Sequence, residues 1–218
     1  MGEKQALRPY QEAARKSIHT EWENGRLRTL LVLPTGTGKT IVFASVAADQ
    51  VRAGDRVLIL AHRGELLEQA ADKLQRSTGL VSAVEKAEST CLDSWYRVVV
   101  GSVQTLQRPA RLERFPRDYF GTIIIDEAHH SITDGYRRIL DYFGSAKVLG
   151  VTATPDRGDM RNLGEVFDSL AYEYKLTDAI KDGYLCRIMA QTVPLQAGHL
   201  RRGHEQRRLF RRRAWHCP

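Results

Sequence analysis

The chain has 218 residues, 42% of them hydrophobic, and a formal net charge of +7. That allows one large domain or two small ones with a sizeable core, and no apolar run approaches the ~20 residues that span a bilayer. Residues 198–218 hold seven Arg and one Glu, so the tail supplies most of the charge. Whole-chain basicity is therefore no evidence that the folded body binds nucleic acid.

The polar start, MGEKQALRPYQ, has no apolar stretch of the secretory kind. Cys91, Cys186 and Cys217 are far apart and form no C-x-x-C pair. That spacing argues against a structural zinc site and suits a reducing cytoplasm.

Pro9 suits the first turn of a helix, and YQEAARKSIHTEWENG continues it to a stop at Gly25. RTLLVL, residues 28–33, is a continuous apolar run, as expected of a strand covered on both faces. PTGTGKT follows, and TIVFASVAADQVRAG reads as a helix ending at Gly54. RVLILA is the next strand, and GELLEQAADKLQRS the next helix, with Leu66, Leu67, Ala70 and Leu74 on one stripe. RVVVGS is a strand, VQTLQR a short helical piece, and GTIIIDEAHH a strand running into acids. GYRRILDYFG is a helix and AKVLGVTATP a strand. Residues 167–195 read as one more strand, helix and strand. Strands alternating with helices predict a parallel sheet with helices on both faces. No internal repeat is present.

The tail from Gly198 breaks this pattern and is expected to be disordered. It can be read as a nucleic-acid-binding arm. It can equally be read as the product of a frameshift or truncation near residue 197, since one-nucleotide-shifted codons can encode an ordinary acidic loop, DISGVDTSSGD.

A glycine loop between a buried strand and a helix N-terminus surrounds a concavity with backbone N–H groups, and the helix dipole adds positive potential. Gly36 and Gly38 permit positive φ and close approach. Lys39 supplies a point charge for β- and γ-phosphates, and the Thr40 hydroxyl suits Mg²⁺. The general pattern G-x-x-x-x-G-K-[ST] has Leu33 at its first glycine. Asp126 and Glu127 end a buried strand, at the edge where such sheets bind ligands. Asp126 can hold Mg²⁺ through waters, while Glu127 can orient or deprotonate the attacking water. Taken alone, such an acid pair is usually a solvated helix start. His129 and His130 have no partners at metal-ligand spacing. His129 suits a hydrogen bond between the nucleotide site and a neighbouring segment.

PTGTGKT, DEAHH and TATP, in that order, resemble motifs I, II and III of superfamily-two helicases and translocases. The second His after DEAH resembles repair helicases of the RadD type and the helicase subunits of restriction enzymes. LRPYQ resembles the adenine-reading segment, AHRGELLEQ motif Ia, and GSVQTL motif Ib. The resemblance covers roughly residues 7–193. It implies a RecA-like P-loop domain over 1–193, followed by the basic tail at 194–218, and it implies binding of ATP and Mg²⁺. Gln11, assisted by Arg8, would contact the base; Pro34, Thr35, Gly36, Thr37, Gly38, Lys39 and Thr40 would form the phosphate loop. Thr40 and Asp126 would hold the metal, and Lys39, Asp126 and Glu127 would serve hydrolysis. His129, Thr152 and Thr154 would couple the γ-phosphate to strand grip. His62, Arg63, Ser102, Gln104 and Thr105 would touch one nucleic-acid strand without reading its sequence.

The family also uses a second RecA-like domain carrying motifs IV to VI and the arginine fingers, and no such motif occurs in these 218 residues. The resemblance thus implies the motor half of an ATP-dependent helicase, with very slow hydrolysis by itself, since an in-trans arginine typically supplies ~10³ to 10⁵ in rate. DNA is favoured over RNA only through the repair and restriction relatives. The alternatives are an inactive nucleotide- and nucleic-acid-binding remnant and a P-loop kinase or transporter-type ATPase. TATP counts against the latter.

Overall fold

The computed structural model describes residues 6–61, 71–72, 74–87, 89–92, 94–131, 133–153 and 162–187. Seven strands form one sheet: β1 (Arg28–Val32), β2 (Val57–Ala61), β3 (Ser82–Glu85), β4 (Val98–Ser102), β5 (Thr122–Asp126), β6 (Lys147–Thr152) and β7 (Ser169–Glu173). Their spatial order is β3-β4-β2-β5-β6-β1-β7, and every pairing is parallel. The helices are α1 (Pro9–Glu23), α2 (Lys39–Arg52), α3 (Val103–Leu106), α4 (Pro109–Leu112), α5 (Asp134–Tyr142) and α6 (Leu176–Lys181).

The continuous apolar strands are explained by two cores, one on each face. Along β1 and into Leu33, Leu31 and Leu33 join one core while Leu30 and Val32 join the other. In β2, Val57 and Ile59 face the first core and Leu58 and Leu60 the second. This is period-two alternation with both faces apolar. Each such side chain contributes roughly 1.5–3 kcal/mol on burial. α1 covers the first face with Tyr10, Ala14, Ile18 and Trp22, an i, i+4 stripe. α5 covers the second face with Tyr136, Ile139 and Leu140. Gly150 in β6 is required by packing: a Cβ there would collide with the Phe167 ring.

The predicted helices and strands of the first 153 residues recur wherever the chain is described. Residues 71–72 and 74–78 are helical, as predicted, but the start of that helix lies outside the described residues. So does the strand predicted last, beyond residue 187. Two elements escaped prediction. β3 is a short edge strand whose only fully buried residue is Glu85, so it shows no apolar alternation. α4 is a single turn opened by Pro109. Among the described residues, no helix is long and apolar enough to cross a membrane.

Candidate nucleotide and nucleic-acid site

β1 hands the chain to the glycine loop. Leu33 is fully buried, and its N–H donates to the Thr152 carbonyl at 3.1 Å. It extends the strand into the core, which is why an apolar residue stands where the general pattern has glycine. Pro34 is buried, Thr35 and Gly36 are exposed, and Thr37 turns inward. The Thr37 hydroxyl and N–H both donate to the Pro34 carbonyl, at 2.6 and 3.2 Å. Gly36 and Gly38 have φ of +90° and +80°, a region closed to most side chains. α2 then begins at Lys39, and Lys39 and Thr40 are half-buried at its open end. The first amides of any helix lack intrahelical acceptors. This ring of amides with one ammonium group and one hydroxyl fits a polyphosphate and its metal.

α1 braces the loop from behind. Tyr10 donates its hydroxyl to the Thr37 carbonyl at 2.6 Å, and Gln11 donates Nε2 to the same oxygen at 3.0 Å. Gln11 Oε1 accepts the Arg8 N–H at 2.9 Å, and Gln11 is buried. A Cβ on residue 38 would lie 2.7 Å from Gln11 Nε2. The predicted base-contact residue therefore also touches the phosphate loop. Arg8 lies 4.8 Å over the Tyr184 ring.

Across the same sheet edge stands the acid pair. β6 separates β1 from β5, with Val32 paired to Thr152 and Val151 to Asp126. Two strand spacings place the ends of β1 and β5 about 10 Å apart, within reach of one metal–triphosphate unit. Asp126 Oδ1 accepts the Glu127 N–H at 3.0 Å. Glu127 is left-handed, φ 54° and ψ 57°, and caps the 3₁₀ turn Ala128–His130. Such strain in a non-glycine residue persists where surroundings over-determine it, as at functional sites. His129 Nδ1 lies 3.5 Å from both Glu127 Oε2 and Thr152 Oγ1. Burial and the nearby Asp126 charge push the Tyr136 phenol well above its ordinary pKa. Among the described residues, no three or more His, Cys, Asp or Glu are grouped to hold a metal.

At the far side of the edge, β4 ends at Ser102, which is buried, while Gln104 is exposed and Thr105 half-buried. Thr105 Oγ1 accepts the Ala87 N–H at 3.1 Å, tying α3 to the turn after β3. Of this segment, Gln104 has the freest reach. His62, Arg63 and Thr154 lie outside the described residues. Sequence reasoning missed Tyr10, whose hydroxyl reaches the loop. It also missed Tyr174 and Tyr184, whose rings pack on Tyr10.

The family model of the type III restriction enzyme res subunit matches residues 4–157. The chain is 35% identical over 205 residues to the IRC3 protein of Saccharomyces cerevisiae, which carries an ATP-dependent helicase name; the match covers 88% of this chain and 30% of that protein. It is 32% identical over 194 residues to the type I restriction enzyme EcoAI endonuclease subunit of Escherichia coli, covering 84% of this chain and 24% of that one. The chain thus spans less than a third of the length of these relatives. Among solved structures, the Hef helicase domain of Pyrococcus furiosus superposes with a TM-score of 0.63 at 26% identity, covering 78% of this chain and 38% of that one.

Proposed function

The chain belongs to the family of the type III restriction enzyme res subunit, within the superfamily-two helicases, and from that premise we propose that it is the ATP-binding motor half of an ATP-dependent DNA helicase or translocase. The observation that carries this reading is the convergence at one sheet edge of the glycine loop, with Lys39 and Thr40, and the Asp126–Glu127 pair.

On this reading each residue has a part. Lys39 and the loop amides bind and orient the phosphates. Thr40 and Asp126 would hold Mg²⁺, which when bound neutralises charge on the phosphoryl oxygens. Glu127 holds the attacking water and takes its proton. His129 links Glu127 to Thr152, so a change at the acid can be felt at the end of β6. Arg8 and Gln11 meet the base side of the nucleotide. Gln104 and Thr105, with His62, Arg63 and Ser102, would line the strand track, and Thr154 would extend the coupling segment. A second RecA-like lobe supplies the remaining charges and closes on the nucleotide, a role supported by the greater length of the relatives. We place the activity in cytoplasmic DNA processing, a setting suggested by the restriction relatives, with residues 1–193 as the domain and 194–218 as a basic tail.

The test is nucleotide binding and turnover with and without single-stranded DNA. Lys39→Ala abolishes binding of Mg·ATP, whereas Glu127→Gln binds it and does not turn it over. Normal turnover by Glu127→Gln would remove the water-positioning role. DNA-stimulated hydrolysis, raised further by a second RecA-like lobe added in trans, supports a motor. Flat, near-zero rates in every condition would leave a binding remnant instead.

A further inference from the structure

The Thr37 carbonyl carries two side-chain donors, an unusual load for one loop oxygen, and the stronger comes from Tyr10. Its hydroxyl donates at 2.6 Å across 27 residues of sequence. Tyr10 is itself held in place by chain far downstream. Its ring stacks on Tyr174 at 4.4 Å and 13°, and meets the Tyr184 ring edge-on at 4.9 Å. The Tyr174 hydroxyl donates to Asp182 at 2.6 Å, fixing the start of the segment around α6 to its end. Next along, Leu185 lies against the loop, 3.1 Å from where a Cβ on Gly36 would stand. The segment 174–185 therefore touches the phosphate loop twice, directly through Leu185 and indirectly through Tyr10.

The geometry of one peptide unit gives these contacts a consequence. All peptide bonds among the described residues are trans. In a trans unit the C=O of residue 37 and the N–H of residue 38 point in opposite directions. Holding the Thr37 carbonyl towards α1 therefore turns the Gly38 N–H away from α1, into the concavity of the loop. A flip of that unit would aim a carbonyl oxygen at the phosphates and remove a donor. Glycine at 38 makes the flip sterically easy, since glycine accepts either sign of φ. Something outside the loop has to hold the orientation.

We propose that Tyr10 is a positioning residue that locks the Thr37–Gly38 peptide in its anion-binding orientation, and that Tyr184 and the rest of segment 174–185 act as the latch that keeps Tyr10 there. The proposal rests on the nucleotide-binding reading above and adds a dependence of phosphate affinity on a segment that does not touch the phosphates.

The full chain is titrated with Mg²⁺ and ATP bearing a fluorescent N-methylanthraniloyl group, with thermal unfolding recorded for each protein. Tyr10→Phe keeps the ring and loses the donor. It should weaken binding roughly 3- to 10-fold, the worth of one hydrogen bond, with the melting midpoint little changed. Tyr184→Ala should weaken binding to a similar degree, and Tyr184→Phe should restore it because the ring contact remains. The double variant Tyr10→Phe/Tyr184→Ala should be no weaker than Tyr10→Phe, since both act through one hydroxyl. Wild-type affinity in Tyr10→Phe overturns the proposal, as does full additivity in the double variant. If Tyr184→Ala loses its fold, Tyr10→Phe decides alone. If the wild-type chain shows no binding that Lys39→Ala removes, the nucleotide reading itself fails, a result distinct from intact binding that is indifferent to Tyr10.

Discussion

Glu127 carries a conformational load that can be measured separately from its chemistry. Its φ of 54° and ψ of 57° put a Cβ-bearing side chain in the left-handed region, which costs about 1–2 kcal/mol in an ordinary residue. Four substitutions separate the contributions. Glu127→Gln removes only the charge beside Asp126. Glu127→Ala also shortens the side chain but keeps the Cβ and so keeps the strain. Glu127→Asn removes the charge and introduces a residue that tolerates this region. Glu127→Gly relieves the clash but loses roughly 0.5–1 kcal/mol to unfolded-state entropy. Relative to Gln, Asn should therefore gain about 1 kcal/mol, or roughly 2–4 °C in melting midpoint for a domain of this size. Gly should fall between Asn and Gln. None should hydrolyse ATP. Scanning calorimetry on the four proteins gives the order. An Asn variant that melts at or below the Gln variant would refute the claim that the backbone at this acid is strained.

Arg111 is the partner of the fully buried Glu85 carboxylate, which otherwise keeps the Cys91 N–H at 2.7 Å. Arg111→Ala should cost about 3–5 kcal/mol, a fall on the order of 10 °C in melting midpoint; a change of a degree or two would show the pair is solvated. Burial raises the Asp49 carboxyl, but hydrogen bonds from Arg15 and His19 outweigh it and hold the group below its usual range. A depressed folded-state pKa gives stability that is complete above the ordinary carboxylate value of about 4 and is lost as pH falls through the folded value. Asp49→Asn should thus be less stable than wild type at pH 7, and denaturant melts should show the gap closing below pH of about 4. The Tyr136 hydroxyl is buried without a hydrogen-bond partner among the described residues. Tyr136→Phe should leave stability unchanged or raise it by up to about 1 kcal/mol in urea unfolding; a loss of 2 kcal/mol or more would mean the hydroxyl is satisfied.

What the sequence disclosed and what it withheld follow from the range of the interactions involved. The strand–loop–helix unit around Lys39 was legible because its signals are local: an apolar run, two glycines, then a helix start. The acid pair was legible for the same reason, and only its coupling to the loop made it specific. β3 was not, because its one buried side chain is a carboxylate. Glu85 is tolerated there because Arg111, 26 residues further along, pairs with it and the Cys91 N–H donates to it. In the sequence Tyr10 reads only as part of a helix and of a base-reading segment. Nothing near it in sequence announces that its hydroxyl reaches Thr37, or that Tyr174 and Tyr184 enclose its ring. The left-handed backbone of Glu127 was equally silent, since no residue type at 127 advertises it.

The placement of β1 has a bearing on how the chain is made. Of the seven strands of this sheet it is the first to be made, yet both of its neighbours, β6 and β7, are the last two; Thr29 meets Ser169 140 residues later. At ~5–20 residues per second, its β6 edge stays open for about 6–24 s of synthesis and its β7 edge for about 7–28 s. During that interval RTLLVL is a sticky, unpaired segment on a nascent polypeptide, and trigger-type chaperones or cotranslational aggregation would compete for it. A stalled chain ending before β6 should therefore be a holdase client, and it should let go once residues beyond 173 have cleared the exit tunnel.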